Sequence, residues 1–187
     1  MPRSAVALRG EHNLLNVLAA CAIGAAARLP LVALAGGVEG FSGIAHRLEF
    51  IRQWGGAAWY NDSIATAPER AMAAIRSFTE PVVLLAGGRD KKLPWESFAD
   101  LVHQRVDHLV LFGEAAEKIA AVVGTLKPGS RPYSLVVCSG LRQAIHAAAS
   151  IVKPGDVVLL SPGGTSFDEF RDFEERGEVF REWVQAL

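Results

Sequence analysis

Residues 48–185 alternate between short β-prone runs and helical segments, and this alternation restricts the fold more than any other feature of the sequence. The β-prone runs lie at residues 48–53, 57–60, 82–86, 106–112, 134–137 and 157–160. The helical segments lie at residues 66–78, 95–104, 114–123, 141–152 and 168–185. Such alternation is typical of βαβ units and of a mostly parallel sheet. We therefore expect an α/β fold with about six strands and helices on both faces of the sheet.

The first two β-prone runs flank Gly55 and Gly56, which predicts a hairpin and hence an antiparallel edge to the sheet. Further towards the N-terminus, residues 13–27 and 31–38 are predicted to be helices, and residues 5–8 the tail of a strand. The apolar stretch at residues 14–27 is too short for a membrane span and is followed by Arg28 and Pro30. We interpret it as a buried helix.

Composition excludes several kinds of partner. Half of the residues are apolar, 21% are charged, and the net charge is −1. This balance gives no reason to expect binding to nucleic acid or insertion into a membrane. Cys21 and Cys138 are expected to be reduced thiols, which, with no visible secretory signal, indicates a cytoplasmic protein.

Three polar segments each come directly after a predicted strand. They are residues 61–63 (Asn-Asp-Ser), 87–91 (Gly-Gly-Arg-Asp-Lys) and 161–168 (Ser-Pro-Gly-Gly-Thr-Ser-Phe-Asp), and we call them the rim loops. In an open α/β sheet, ligands bind outside the carboxyl ends of the strands. We therefore expect the rim loops to converge on one edge of the sheet and to form the candidate site.

The first two rim loops also have simpler structural interpretations, whereas the third suggests a binding site. Residues 61–63 could cap a helix, and residues 87–91 could be a solvated turn. In the third loop, Ser166 and Asp168 are predicted to open a helix whose N-terminus favours an anion. The sequence has no G-x-x-x-x-G-K-[ST] loop, no G-x-G-x-x-G loop and no zinc-binding spacing. The chain therefore lacks a recognisable phosphate-binding loop of its own.

Two further motifs complete the pattern: residues 10–16 (Gly-Glu-His-Asn-Leu-Leu-Asn) and 46–49 (His-Arg-Leu-Glu). Taken in their order along the chain, these two motifs and the three rim loops resemble the Mur ligase family over essentially the whole sequence. The most specific part is the C-terminal stretch from the third rim loop to Phe180. Members of that family have three domains, of which the third is Rossmann-like. The resemblance implies that residues 1–38 are the tail of the central ATPase domain and residues 39–187 the C-terminal domain, with the N-terminal domain and most of the central domain missing.

The resemblance also implies an activity. It points to an ATP- and Mg²⁺-dependent acid–amino-acid ligase that adds D-glutamate to UDP-N-acetylmuramoyl-L-alanine in peptidoglycan synthesis, through an acyl phosphate. The third domain would contribute positioning and charge stabilisation rather than a covalent nucleophile. On this interpretation the chain is inactive alone and holds no cofactor tightly.

The resemblance assigns residues to two sites and none to a metal. The residues implied for the nucleotide are Asn13, Asn16, Arg47 and Asp62. Those implied for D-glutamate are Thr66, Lys91, Ser166, Phe167 and Phe173. The sequence departs from the family at Ile64, where many relatives have lysine, and at Ala67, where a polar residue is common. The role of that lysine is therefore not transferred to Ile64.

Other functions remain open at this point. One is another Mur-type or folylpolyglutamate-type ligase domain. A second is a stand-alone module that binds a nucleotide or an amino acid. A third is a purely structural α/β domain.

Overall fold

The computed structural model describes residues 2–187, except for the side chains of Ser4 and His12. The chain divides into two compact units, Met1–Ile44 and Ala45–Leu187. The domain boundary implied after residue 38 stays a prediction.

The first unit contains two helices, α1 (Glu11–Ala26) and α2 (Leu31–Glu39), both in the predicted places. The predicted strand at residues 5–8 is wrong: Arg3–Ala5 form a 3₁₀ turn and residues 6–9 are irregular. A strand needs a partner for its backbone groups, and none pairs with this segment in the part of the chain that the structure describes.

The interpretation of α1 as a buried helix is also wrong. Leu15, Leu18 and Ile23 expose 61%, 56% and 72% of their surface. Two short helices cannot enclose apolar side chains on all sides, so much of α1 stays accessible. Among residues 2–187, no helix is both long and apolar enough to cross a membrane.

The second unit is built on a six-stranded sheet in the order β1-β2-β6-β3-β4-β5. The strands are β1 (Glu49–Trp54), β2 (Ala57–Asn61), β3 (Val82–Gly87), β4 (Val106–Phe112), β5 (Ser134–Cys138) and β6 (Val157–Gly163). Only the β1–β2 pair is antiparallel; the other pairs are parallel. The hairpin turns at Gly55 and Gly56, whose φ angles are 61° and 79°, a conformation that favours glycine. The predicted sheet with its antiparallel edge is confirmed.

Helices cover both faces of this sheet, as predicted. The helices are α3 (Pro68–Ile75), α4 (Glu96–Arg105), α5 (Ala116–Val123), α6 (Leu141–Ile151) and α7 (Phe173–Gln185). Alternate residues of β3 enter two separate apolar clusters, one with α3, α4 and α5 and the other with α6 and α7. Every residue of β3 and β6 is buried, so these central strands fix the positions of the loops that follow them.

The helices α3 and α7 begin later than expected in ways that bear on the rim loops. α7 begins at Phe173 rather than at residue 168, because the Asp172 side chain caps it by accepting a hydrogen bond from the Glu175 amide at 2.7 Å. Before the cap, the Ser166 carbonyl accepts hydrogen bonds from the amides of Glu169 and Phe170 in a separate turn. The prediction that Ser166 and Asp168 open a helix is therefore wrong. α3 begins at Pro68, after Ala67, so residues 61–63 do not cap it.

Candidate functional site

The three rim loops meet at the carboxyl ends of β2, β6 and β3, which are neighbours in the sheet. The Ser161 hydroxyl donates a hydrogen bond to the Asp62 carboxyl at 2.8 Å, which joins the first loop to the third. The amides of Arg89 and Thr165 each donate to the other's carbonyl, at 2.8 and 3.0 Å, which joins the second loop to the third. The parallel order of the strands thus brings all three polar segments to one edge.

Two glycines allow this close approach. A Cβ atom on Gly87 would lie 1.8 Å from the Phe112 carbonyl oxygen, and one on Gly88 would lie 2.3 Å from the Thr165 carbonyl oxygen. Both residues also have positive φ angles, of 141° and 87°. A side chain at either position would push the second loop away from its neighbours.

A buried arginine from α7 ties the first rim loop to the third. Arg176 is 0% exposed. Its guanidinium donates to the Ser63 hydroxyl at 2.9 Å, to the Ser63 carbonyl at 2.8 Å and to the Gly164 carbonyl at 3.2 Å. Burial lowers the pKa of Arg176 to about 10, with the charges of Asp168 and Glu169 acting in the opposite direction. The guanidinium therefore remains charged at neutral pH.

Asp62 is the most strongly perturbed carboxyl group of the rim. Burial raises its pKa from 3.8 to about 7. The opposing effects are the hydrogen bonds from the Ser161 hydroxyl and the Leu48 amide, and the charges of Arg47 and Arg70. A carboxyl group that titrates near neutrality beside polar loops is typical of a functional site.

The segment before β1 presents Arg47 from a strained backbone. His46 and Leu48 on either side have φ angles of 64° and 46°, which are uncommon for residues other than glycine. Two hydrogen bonds stabilise this backbone conformation. The Leu48 amide donates to Asp62 at 3.2 Å, and the His46 amide donates to Glu49 at 2.9 Å. Arg47 itself is exposed and forms no ion pair with any residue from 2 to 187. Its guanidinium is therefore available to an anion.

Two of the residues implied for D-glutamate contact each other. The Lys91 ammonium donates to the Thr66 hydroxyl at 3.3 Å. The loop before Lys91 is fixed by Asp90, which accepts hydrogen bonds from Lys118 at 2.7 Å and from the Trp95 indole at 3.3 Å. Burial alone would raise the pKa of Asp90, but these donors, the Lys92 amide and the charge of Lys118 together lower it. The second rim loop is thus an anchored segment rather than a solvated turn, with Lys91 at its exposed end.

Ser166, Phe167 and Phe173 lie at the third rim loop and the start of α7. Ser166 is 2% exposed, and its hydroxyl has no hydrogen-bond partner within the described chain. Phe167 is 56% exposed. The Phe173 ring packs edge-on against the His46 ring at 6.3 Å between centroids, and its carbonyl accepts from the Ser63 hydroxyl at 2.8 Å. Phe173 thus joins the start of α7 to the first rim loop.

Asn13 and Asn16 lie in the first unit, on the first two turns of α1. The Asn13 amide group donates to the Arg9 carbonyl at 2.8 Å, and Asn16 donates to Asn13 at 3.4 Å. Their role in binding a nucleotide stays a prediction.

The sequence interpretation assigned no role to four residues that build the rim, His46, Glu49, Asn61 and Arg176, although the first three lie in the motifs at residues 46–49 and 61–63. The Asn61 amide group donates to the His46 ring, to Glu49 and to the Gly177 carbonyl, at 3.1, 3.2 and 3.2 Å. Glu49 also pairs with Arg181 at 2.7 Å. A signal for Arg176 was present, because helical spacing places it on the same face as Phe173 and Phe180, the buried face of α7.

The perturbed pKa of Asp62 leads to a testable pH dependence. Because the folded chain binds this proton more tightly than the unfolded chain, the free energy of unfolding should fall as the pH rises from about 4 to about 7. Asp62→Asn should remove this part of the dependence, which we expect to be at least about 1 kcal/mol. Urea denaturation of both proteins across this range measures the difference. Parallel pH profiles for the two proteins would contradict the assignment.

Comparison with known proteins identifies a family whose model matches most of the second unit, and relatives that match nearly the whole chain. Residues 46–164 match the family described as Mur ligase, glutamate ligase domain. The chain is 43% identical over 186 residues to the UDP-N-acetylmuramoylalanine–D-glutamate ligase of Syntrophus aciditrophicus, covering 100% of this chain and 40% of that protein. It is 42% identical over 189 residues to the ligase of the same name from Roseiflexus sp., covering 99% of this chain and 40% of that protein. The chain thus spans about 40% of the length of these relatives.

Solved structures share the fold at lower sequence identity. The UDP-N-acetylmuramate–alanine ligase of Thermotoga maritima superposes with a TM-score of 0.68 at 18% identity, over 96% of this chain and 39% of that one. The folylpolyglutamate synthase of Mycobacterium tuberculosis superposes with a TM-score of 0.65 at 21% identity, over 92% of this chain and 41% of that one.

Proposed function

This chain belongs to the Mur ligase family, and from that premise we propose that it supplies the D-glutamate site of a peptidoglycan ligase. In this role it binds the incoming amino acid at the rim loops and contacts the nucleotide from one side. The reaction it serves is the ATP-dependent addition of D-glutamate to UDP-N-acetylmuramoyl-L-alanine. Ligases that act on D-glutamate share about 40% identity with nearly the whole chain, which supports this substrate over those of other family members.

The contact between Lys91 and Thr66 is the observation on which the proposal rests. Lys91 is exposed, forms no ion pair with any described residue, and is held at 3.3 Å from the Thr66 hydroxyl. An ammonium group fixed in this way suits a carboxylate. Ser166, with its hydroxyl unpaired among the described residues, and the exposed Phe167 ring extend the same site.

The nucleotide side of the proposed site combines Arg47 with Asp62. The guanidinium of Arg47 suits a phosphate, and a carboxylate of Asp62 suits a ribose hydroxyl. For Asn13 and Asn16, which lie in the first unit, a role in binding the nucleotide stays a proposal. Groups of three or more His, Cys, Asp or Glu side chains suited to a metal ion do not occur among the described residues, so no Mg²⁺ ligand is assigned to this chain.

In the proposed reaction this chain positions the amino acid and supplies no nucleophile. ATP would transfer its terminal phosphoryl group to the carboxylate of UDP-N-acetylmuramoyl-L-alanine. The amine of D-glutamate would then attack the acyl carbon, form the amide and release phosphate with loss of a proton. Lys91, Thr66 and Ser166 hold the amino acid for this attack, which removes much of its entropic cost. We also propose a cytoplasmic location, with which the free thiols of Cys21 and Cys138 agree.

The chain alone should neither hydrolyse ATP nor form the amide, because its sequence has no loop of the G-x-x-x-x-G-K-[ST] type. A chimera in which this chain replaces the matching 40% of the Syntrophus aciditrophicus relative should be active. In the chimera, phosphate release should require both D-glutamate and the UDP-sugar substrate. A phosphate-release assay on both proteins measures the difference.

The control is the Lys91→Ala variant of the isolated chain. Phosphate release by the wild-type chain above that variant would contradict the first expectation. A chimera that folds but accepts another amino acid in preference to D-glutamate would overturn the proposed substrate.

A further inference from the structure

Arg70 reaches back from α3 to the turn that carries Thr66. Its Nη1 atom donates to the Ile64 carbonyl at 3.4 Å. The same carbonyl accepts a hydrogen bond from the Thr66 amide at 2.9 Å. The guanidinium therefore lies against the backbone turn of residues 62–66, although the side chain remains exposed.

Arg70 and Lys91 therefore both contact this short turn, since the Lys91 ammonium donates to the Thr66 hydroxyl at 3.3 Å. Neither Arg70 nor Lys91 forms an ion pair with a carboxylate in the described chain. Two other basic side chains nearby are paired, Arg89 with Glu114 at 3.1 Å and Lys118 with Asp90 at 2.7 Å. Two unpaired like charges repel each other, and an anion bound between them would relieve this repulsion.

The charge of Arg70 acts on Asp62, a residue of the first rim loop. Asp62 is two residues from Ile64, and its carboxyl group senses both Arg47 and Arg70. The two oxygens of Asp62 accept hydrogen bonds from the Leu48 amide and the Ser161 hydroxyl, and Asp62 forms no ion pair with Arg70. Residue 64 itself contributes no charge, since it is isoleucine. Arg70 therefore places a positive charge beside the turn that carries Thr66.

We propose that Arg70 is a second substrate-binding cation of the amino-acid site and that, together with Lys91, it selects an amino acid with two carboxylates. This inference rests on the proposed function, and it adds a residue that the sequence interpretation did not assign. A guanidinium binds a carboxylate through two parallel N–H donors, which gives direction as well as charge. Lys91 and Thr66 hold one carboxylate, and Arg70 contributes its charge to the binding of the other.

The test uses the active chimera with Arg70→Ala. We expect the KM for D-glutamate to rise about tenfold, which corresponds to about 1.4 kcal/mol, and the KM for ATP to change less than about twofold. The preference for D-glutamate over D-glutamine should fall, because the cation that favours the second carboxylate is gone. Arg70→Lys should recover part of the loss, and Ile64→Lys added to Arg70→Ala should restore a positive charge to the same turn.

Arg76→Ala is the matched control, since Arg76 is an exposed arginine at the opposite end of the same helix. It should leave both KM values unchanged. An unchanged KM for D-glutamate in Arg70→Ala, a loss confined to ATP, or an equal loss in Arg76→Ala would each overturn the inference. A wild-type chimera with no D-glutamate-dependent activity would instead overturn the proposed function.

Discussion

Lys91→Ala is expected to raise the KM for D-glutamate by about 10- to 100-fold in the active chimera, with little change in the KM for ATP. A charge-assisted contact to a carboxylate contributes about 1.5–3 kcal/mol, which corresponds to about one to two orders of magnitude in affinity. Lys91 is fixed at Thr66 rather than at Arg47 or Asp62, so the loss should fall on the amino acid. Steady-state kinetics with each substrate varied in turn measures both constants.

Lys92→Ala provides the control for this result. Lys92 is also exposed, but its amide is held by Asp90 at 3.0 Å and its side chain has no contact at the rim. Its φ angle of 60° strains alanine as much as lysine, so the backbone cost should not change. Equal losses for the two variants, or a loss confined to ATP, would mean that the D-glutamate site lies elsewhere.

Arg176→Ala is expected to destabilise the second unit by about 2–5 kcal/mol. The substitution leaves the Gly164 carbonyl and the Ser63 groups without their donor, and each buried unpaired group costs about 1–3 kcal/mol. It also opens a cavity in the place of a side chain that is 0% exposed. Urea denaturation followed by tryptophan fluorescence reports on this unit alone, because Trp54, Trp59, Trp95 and Trp183 all lie within Ala45–Leu187.

Arg171→Ala is the control, because it removes another arginine near α7 that does not contact the rim loops. Arg171 is largely exposed and pairs only with Glu175, at 3.3 Å. Its removal should change the free energy of unfolding by less than about 0.5 kcal/mol. An Arg176→Ala protein as stable as Arg171→Ala would show that the guanidinium does not hold the rim loops.

Periodicity was sufficient to predict the sheet of the second unit. Both central β-prone runs were predicted to be strands; continuous apolar runs of this kind are typical of buried strands, and β3 and β6 are buried along their whole length. The carboxyl ends of β2, β3 and β6 are each followed by polar residues, which predicted the shared edge. What the sequence could not reveal is that β6 lies between the other two, because strand order depends on long-range pairing.

Contacts between distant residues account for most of what the sequence interpretation missed. The start of α7 was misplaced because Asp168 and Asp172 are equally good caps by residue type, and only the fold determines which one accepts the Glu175 amide. The Arg70–Ile64 contact depends on the turn that precedes α3. Burial of α1 was overestimated because apolar composition alone does not show how much surface is available to cover a helix.

The position of β6 also has a consequence for how the chain is made. β6 is the last strand in sequence, at Val157–Gly163, yet it separates β2 from β3 in the sheet. A growing polypeptide can therefore form the β1–β2 hairpin and the β3–β4–β5 segment early, but these two pieces cannot join until about five-sixths of the 187 residues have been synthesised. Thr66 and Lys91 consequently come together only after β6 has been synthesised, and a chain that stops before β6 exposes two unpaired strand edges to proteases and chaperones instead of a binding edge.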